Sequence, residues 1–168
     1  MPEQKLCLLY HSSKGISLPT FLHRADLPCS AVDGCRSSSG WANRKQTDAF
    51  FFDHPEIADR YGFVTCCQGE PIGFICWNPR NRPEYVKIGH NGIRTAHKGK
   101  GFGKAQLKEA LRRIRAYEGL KEIRVCTNDQ LIAPRNYESA GFVLYDRKEN
   151  HDEAPFAGDY LYYRIRLL

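Results

Sequence analysis

A glycine-rich turn between residues 93 and 107 is the most informative part of this sequence. It reads Ile-Arg-Thr-Ala-His-Lys-Gly-Lys-Gly-Phe-Gly-Lys-Ala-Gln-Leu from Ile93 to Leu107. Alternating glycines lack a Cβ, so the backbone can bend tightly and direct consecutive N–H groups at a ligand. A following helix start and nearby lysines favour an anion. The stretch predicts a phosphate-binding turn, whose residues are Lys98, Gly99, Lys100, Gly101, Phe102, Gly103 and Lys104.

Two common nucleotide-binding motifs do not fit this turn. A Walker A loop requires glycine at position 98 and Ser or Thr at position 105, where Lys98 and Ala105 stand. A dinucleotide-binding fingerprint requires a third glycine where Lys104 or Gln106 stands. The sequence therefore argues against a P-loop NTPase and against a dinucleotide-dependent enzyme.

A third pattern, Arg/Gln-x-x-Gly-x-Gly/Ala, is filled by Lys98, Gly101 and Gly103, with Lys in place of the usual Arg or Gln. A second motif, Ala-x-x-x-Tyr-x-x-x-Gly-Phe, runs from Ala133 to Phe142 after an intervening strand. Together they resemble the two hallmarks of the GNAT superfamily of acyl-CoA-dependent N-acyltransferases. The resemblance covers residues 63–142 well, and the preceding residues only in helix content.

Periodicity along the chain predicts an α/β (α+β) fold with a mixed sheet and helices on both faces. The order β, α, α, β, β, β, α, β, α, β, β resembles the GNAT layout, which implies about seven strands flanked by about four helices. Predicted strands cover residues 5–10, 63–68, 71–77, 84–95, 121–127, 142–147 and 159–167, and predicted helices cover 18–27, 47–61, 103–118 and 134–140. A tight turn at Gly69 and Glu70 is predicted to join the second and third strands.

The length and composition predict a single domain spanning residues 1–168, because no linker-like stretch divides the chain. The first residues lack the features of a signal peptide and no apolar run is long enough to span a bilayer, so we expect a soluble, cytoplasmic protein without membrane contact. The 7 cysteines include no Cys-x-x-Cys pair, and the 6 histidines form no ligand-spaced cluster. We therefore expect buried thiols at Cys66, Cys67 and Cys76, and no metal site.

The net charge of +6 is concentrated between residues 94 and 115. This stretch lacks interleaved aromatics and a recognisable recognition helix, which argues against nucleic acid as a partner. A ligand with a pyrophosphate and a ribose phosphate, such as coenzyme A, could use the first four charges directly. They belong to Arg94, Lys98, Lys100 and Lys104.

The resemblance implies a reaction and a set of site residues. The expected ligand is acetyl-CoA, and its acetyl group would pass to a primary amine of a small molecule, a peptide or a protein. Backbone N–H groups of Ile93, Arg94 and Thr95 would hold the pantetheine arm and the oxyanion, if a splay or bulge releases them from sheet pairing. Tyr137 would protonate the departing thiolate, and Asn128 and Pro134 near the second motif are assigned to the cofactor site.

The general base is left open by the sequence. Strand alternation places Lys87, Gly89 and Asn91 on one face and Ile88 and His90 on the other, so His90 could serve only if a bulge shifts the parity. Asn91 and His90 join Tyr137 as catalytic candidates. Further candidates for the base are Glu84, His97 and Asp129. An acceptor such as an α-amino group, with a pKa near 8, would need little help.

Two alternatives to an enzyme stay open at this level. A non-catalytic acyl-CoA-binding or regulatory module would explain a missing base, and a nucleic-acid binder would use the basic helix. A homodimer through the last strand, with Tyr160, Tyr162 and Tyr163, competes with cover by the protein's own helices.

Overall fold

The computed structural model describes residues 6–9, 57, 60–150 and 158–167. Seven strands form one sheet in the order β1-β2-β3-β4-β5-β7-β6. They are β1 (Leu6–Leu9), β2 (Gly62–Cys67), β3 (Glu70–Asn78), β4 (Tyr85–Ile93), β5 (Glu122–Asn128), β6 (Val143–Lys148) and β7 (Tyr160–Arg166). β4 and β5 pair in parallel, and the other described pairs are antiparallel. The predicted mixed sheet of seven strands is therefore confirmed.

Between residues 61 and 150, two α-helices accompany the sheet, α1 (Phe102–Arg115) and α2 (Ala133–Ser139), and a short 3-10 helix covers Thr95–His97. The helices predicted over residues 18–27 and 47–61 lie almost entirely outside the described residues. In the described part of the chain, no helix is long and apolar enough to cross a membrane.

The main core lies between one face of the sheet and both α-helices. The apolar stripe of α1 packs there with the inward side chains of the central strands and with Tyr137 of α2. Val86, Ile114 and Ile123 are completely buried at its centre. Cys66, Cys67 and Cys76 are buried thiols, as expected.

The hairpin between β2 and β3 turns one residue earlier than predicted. Gln68 and Gly69 have positive φ angles of 51° and 84°, and Cys67 pairs with Glu70. Positive φ at both central residues is typical of the type I′ turn, whose twist matches the flanking strands. The predicted turn at Gly69 and Glu70 is therefore wrong by one residue, because Glu70 already belongs to β3.

β7 is an interior strand, and β6 forms the edge of the sheet. Tyr163 is only 2% exposed and belongs to the core under α2, so the protein's own helix covers it. On the edge strand, Val143 and Leu144 are 66% and 44% exposed. The aromatic residues of the last strand therefore do not form a free edge.

Candidate active site

β4 and β5 are paired over only part of their length. Parallel pairing runs from Tyr85 with Glu122 to Ile88 with Val125. Beyond these pairs, β4 continues beside β3 and β5 continues beside β7. Among the described residues the two strands therefore separate, and the backbone groups that would have joined them face an opening. The predicted splay is present, and we call this space the β4–β5 opening.

A bulge in β4 lies where the two strands separate. Trp77 of β3 pairs with Ile88, and Ile75 pairs with Asn91. One residue of β3 therefore lies opposite two residues of β4. The two residues are Gly89 and His90. Such an extra residue inverts the alternation of the side chains that follow it.

The inversion corrects the predicted faces of β4. Asn91 lies on the core face together with Ile88, and not with Lys87 on the other face, because simple alternation does not include a bulge. His90 lies against Phe74 with ring centroids 6.0 Å apart, on the side of the strand away from Asn91. A bulge is present, as a role for His90 as base would require, but it brings Asn91 and not His90 to the core face.

The glycine turn has the backbone conformation that its sequence predicts. Gly99 and Gly101 have φ angles of 77° and 85°, which cost a residue with a Cβ about 1–2 kcal/mol. Gly101 is the N-cap of α1, and Phe102 follows it as a buried anchor that packs with Ile72 and Ile93. A Cβ at Gly101 would meet no heavy atom within 4 Å apart from its chain neighbours. The turn is therefore open on that side, and the first N–H groups of the helix that follows lack helical partners.

The charge around this turn is positive. Lys98, Lys100 and Lys104 are exposed, and the first turn of α1 contains no acidic residue. The guanidinium of Arg94, by contrast, lies 2.7 Å from a carboxylate oxygen of Glu70. Of the four cations assigned to phosphate binding, Arg94 is therefore already paired with a carboxylate.

The backbone at the end of β4 distinguishes the three residues predicted to supply N–H groups. The Arg94 N–H donates to the carbonyl of Ile72 at 2.7 Å, so it is committed to β3. Successive N–H groups of a strand point to opposite neighbours, which directs the Ile93 N–H toward the β4–β5 opening. Thr95 begins the 3-10 helix, so the predicted strand to residue 95 ends two residues earlier, at Ile93.

Tyr137 lies on α2 at the side of the opening and is 4% exposed. Its ring packs against Phe142 and Tyr163, with centroid distances of 5.5 Å and 6.4 Å. The Asn91 amide Nδ2 donates to its hydroxyl at 3.5 Å. Burial raises the pKa of Tyr137 to about 12, against a smaller opposing effect of the Asn91 hydrogen bond. The hydroxyl is therefore protonated at neutral pH and can act as a donor.

Gln106 was not recognised as a site residue from the sequence. It lies on α1, is completely buried, and its Nε2 donates to Asn91 Oδ1 at 2.8 Å. The same nitrogen donates to the carbonyls of Phe74 and Gly92 at 2.8 Å and 3.3 Å. A signal for it exists in the sequence, because Gln106 is the polar member of an otherwise apolar helix row that includes Phe102 and Ala110.

Sequence comparison identifies the family of the chain. The model of the acetyltransferase (GNAT) family matches residues 31–142, which include the glycine turn, the β4–β5 opening and Tyr137. The chain belongs to the GNAT acetyltransferase family. A comparison with curated protein sequences gives no match.

Solved acetyltransferase structures share the fold. A GNAT acetyltransferase from Elizabethkingia anophelis with acetyl-CoA bound aligns with a TM-score of 0.69 at 16% identity, over 96% of this chain and 98% of its own. A Bacillus subtilis acetyltransferase in complex with CoA gives a TM-score of 0.61 at 20% identity, covering 73% and 85%. The ribosomal-protein-S18-alanine N-acetyltransferase from Escherichia coli gives 0.56 at 16% identity, covering 64% and 70%.

Asn128 and Pro134 flank the turn that follows β5 in this GNAT chain. The Asn128 side chain accepts a hydrogen bond from the Gln130 N–H at 2.8 Å and donates to the carbonyl of Gly158 at 3.2 Å. Pro134 lies at the start of α2, where its missing N–H has no helical partner to lose. Asn128 therefore holds the turn, and Pro134 fixes the start of the helix that carries Tyr137.

Proposed function

We propose that this chain is an acetyl-CoA-dependent N-acetyltransferase that acts on a primary amine. The observation that carries the proposal is the position of the Tyr137 hydroxyl beside the β4–β5 opening. The other side of this opening is β4, and the glycine turn follows β4 in the chain. The phosphate-binding turn and the proton donor would then contact two parts of the same acetyl-CoA molecule. Acetyl-CoA would supply the activated acetyl group as a thioester.

The residues of the turn fit the phosphates of coenzyme A. Gly99 and Gly101 leave the backbone approachable, and the start of α1 offers N–H groups with no acidic residue nearby. The exposed lysines of the turn add positive charge. In the described part of the chain the buried Nδ1 of His97, next to this turn, lacks a hydrogen-bond partner. A ligand with anionic phosphate oxygens would complement each of these groups.

Tyr137 acts in this proposal on the leaving sulfur. The amine nitrogen attacks the thioester carbonyl to form the amide bond, the carbon–sulfur bond breaks, and the sulfur takes a proton from the tyrosine. The nitrogen loses a proton to solvent as the amide forms, and the tyrosine regains one from solvent. A thiol has a pKa of about 8.5, so complete transfer from a hydroxyl whose pKa is about 12 is uphill. The hydroxyl therefore acts mainly by donating a hydrogen bond as negative charge develops on sulfur.

Two of the candidate bases, Glu84 and Asp129, are engaged in contacts elsewhere. Glu84 pairs with Lys121 at 2.6 Å, at the opposite end of β4 from Asn91. Asp129 accepts hydrogen bonds from Arg147 at 2.8 Å and from the Asp159 N–H at 3.1 Å. Because both carboxylates are committed to these contacts, we infer an acceptor amine that is partly neutral near pH 8, such as an α-amino group.

The test measures acetyl-CoA binding and thiol release by the purified full chain. The amine panel includes peptides with a free α-amino group, lysine-containing peptides with a blocked terminus, and small amines. We expect binding by calorimetry, thiol release with the α-amino peptides, and a decrease in kcat of about a hundredfold in Tyr137→Phe. No detectable acetyl-CoA binding would reject the proposal.

The matched control is Tyr163→Phe. Tyr163 belongs to the same core, is as deeply buried, and donates its hydroxyl to Glu138 at 2.8 Å. Removing its oxygen tests the cost of losing a buried tyrosine hydroxyl away from the opening, and we expect unchanged kcat. Tight acetyl-CoA binding without thiol release for any amine would favour a non-catalytic acyl-CoA-binding module instead.

A further inference from the structure

The buried amide of Gln106 joins three elements behind the candidate active site. Its Nε2 donates to Asn91 Oδ1 on β4 and to the Phe74 carbonyl on β3, both at 2.8 Å. Its Oε1 accepts the hydroxyl of Thr65 on β2 at 2.5 Å. Gln106 and Thr65 are both completely buried, so water does not compete for these bonds.

These partners fix which way the Gln106 amide points. Backbone carbonyls can only accept hydrogen bonds, so the nitrogen must face Phe74 and Gly92. Turning the amide over would place its oxygen against both carbonyls and leave them without this donor. The Thr65 hydroxyl, which can donate, completes the oxygen side. The orientation of Gln106 is therefore determined by chemistry and not by assignment alone.

The orientation of Gln106 determines that of Asn91. The Gln106 nitrogen lies 2.8 Å from the Asn91 amide, and a second amide nitrogen at that position would set two donors against each other. Asn91 therefore presents Oδ1 to Gln106 and turns Nδ2 toward Tyr137. The Tyr137 oxygen then accepts a hydrogen bond, and its single proton remains available for a different acceptor. With the reverse orientation, the tyrosine would donate to Asn91 and its proton would be occupied.

We propose that Gln106 is a positioning residue that fixes the direction of hydrogen bonding at Tyr137, so that the hydroxyl keeps its proton for the leaving sulfur. The proposal rests on the proposed function. The Asn91 hydrogen bond also favours the ionised tyrosine, and so opposes the effect of burial on its pKa. Both consequences ease donation to the sulfur, and both depend on an amide that touches no substrate.

The first experiment reverses the polarity of Asn91. In Asn91→Asp one oxygen still accepts from Gln106, and the other now accepts the Tyr137 proton in place of donating to it. We expect kcat to fall to the level of Tyr137→Phe, with no further loss in the double variant. An Asn91→Asp variant that retains wild-type kcat, or exceeds it, would overturn the proposal.

The second experiment removes the fixed amide. Gln106→Met keeps the length of the side chain in a buried site but donates no hydrogen bond. We expect kcat to fall about tenfold while KM for acetyl-CoA stays unchanged, and no further loss in a Tyr137→Phe background. Thr65→Ser keeps the donor to Gln106 and serves as the conservative control, with wild-type kcat expected.

A merely structural role would give a different result. In that case Gln106→Met would lower kcat by the same factor in the wild-type and the Tyr137→Phe backgrounds, and the proposal would be overturned. Thermal melting of each variant, together with calorimetry of acetyl-CoA binding, separates a loss of folded protein from a loss of catalysis.

A measurement that needs no catalytic turnover separates failure of this positioning role from failure of the proposed function. Side-chain amide signals in nitrogen–proton NMR spectra report hydrogen exchange directly. We expect slow exchange for Gln106, fast exchange for the exposed Gln130, and faster exchange of the Asn91 amide in Tyr137→Phe. Fast exchange at Gln106 would overturn the proposed positioning. A wild-type chain that acetylates no amine would reject the proposed function and its catalytic consequence, even if the amide orientation were correct.

Discussion

The strands β4 and β5 have a paired half and an open half, and the two halves differ in their chemistry. In the paired half, Val86, Ile88, Ile123 and Val125 are at most 1% exposed, and the backbones bond to each other. Beyond Ile88 the backbones separate, and Asn91 is the inward side chain. One extra residue in β4 lies between the two halves.

This difference shows how the fold divides stability from function. Burial of each Val or Ile side chain in the paired half contributes about 1.5–3 kcal/mol, so this half holds the sheet together. The open half leaves backbone groups for a ligand and gains its order from the buried side chains of Thr65 and Gln106 and from the partly buried Asn91. The hydrophobic core and the backbone groups of the proposed binding site therefore belong to different halves of the two strands.

Deletion of His90 tests whether the extra residue in β4 keeps the open half apart from β5. The deletion removes the extra residue, so that β4 pairs with β3 in one uniform register and its end is no longer directed away from β5. We expect the opening to close and acetyl-CoA binding to weaken about a hundredfold or more, or by about 2.7 kcal/mol, as measured by calorimetry. Retained binding would show that the bulge is not what keeps the strands apart.

The control for this deletion damages the paired half instead. Ile88→Ala removes a side chain that is 1% exposed, which should lower the free energy of unfolding by about 3 kcal/mol in urea titrations. We expect its acetyl-CoA affinity to stay close to that of the wild type at temperatures where it is folded. The two variants together then separate loss of the site from loss of the scaffold.

The parts of the molecule that could be predicted from the sequence are those set by local chemistry. The conformation of the glycine turn follows from residues that tolerate positive φ, and α1 follows from apolar side chains at helical spacing. Tyr137 was singled out by resemblance to a family motif, and it does lie beside the β4–β5 opening. Its proposed role as an acid is for the Tyr137→Phe experiment to decide.

The parts that were missed depend on partners far away in the chain. The bulge in β4 is visible only in its pairing with β3, so simple alternation put Asn91 on the wrong face. Gln106 bonds to Thr65, 41 residues away, and reads in the sequence as one polar residue within an apolar helix row. The pairing of Arg94 with Glu70 likewise requires a neighbouring strand, and no local pattern announces it.

Gly101→Ala tests whether the open half depends on the conformation of the glycine turn. The alanine must adopt a φ near 85°, so either the residue is strained by about 1–2 kcal/mol or the turn changes shape. Because the turn forms the proposed phosphate site, we expect acetyl-CoA binding to weaken about tenfold, or by about 1.4 kcal/mol. Calorimetry measures the affinity, and urea unfolding measures the strain.

Gly119→Ala is the matched control for this substitution. Gly119 has a φ of 67°, and its absent Cβ also has open space around it, but it follows α1 at the end away from the glycine turn. We expect a similar loss of stability and no change in acetyl-CoA affinity. Equal loss of affinity in both variants would indicate general strain, and would count against the turn as the binding element.

Glu109→Gln removes a charge from α1, and its expected effect on stability is the smallest of these substitutions. Hydrogen bonds from Arg112, and then from Arg113, lower the pKa of Glu109 to about 2 from its ordinary 4.5, against an opposing effect of burial. The carboxylate therefore stabilises the fold fully above pH 4.5, and this contribution is lost as the pH falls from 4.5 toward 2. Because Arg112 is 64% exposed, we expect the variant to lose only about 1 kcal/mol at pH 7, and the difference from wild type to disappear near pH 2. Urea unfolding across this range measures it, with Glu118→Gln as a control at an exposed glutamate. A constant difference at every pH would mean that the two arginines do not act through the charge of Glu109.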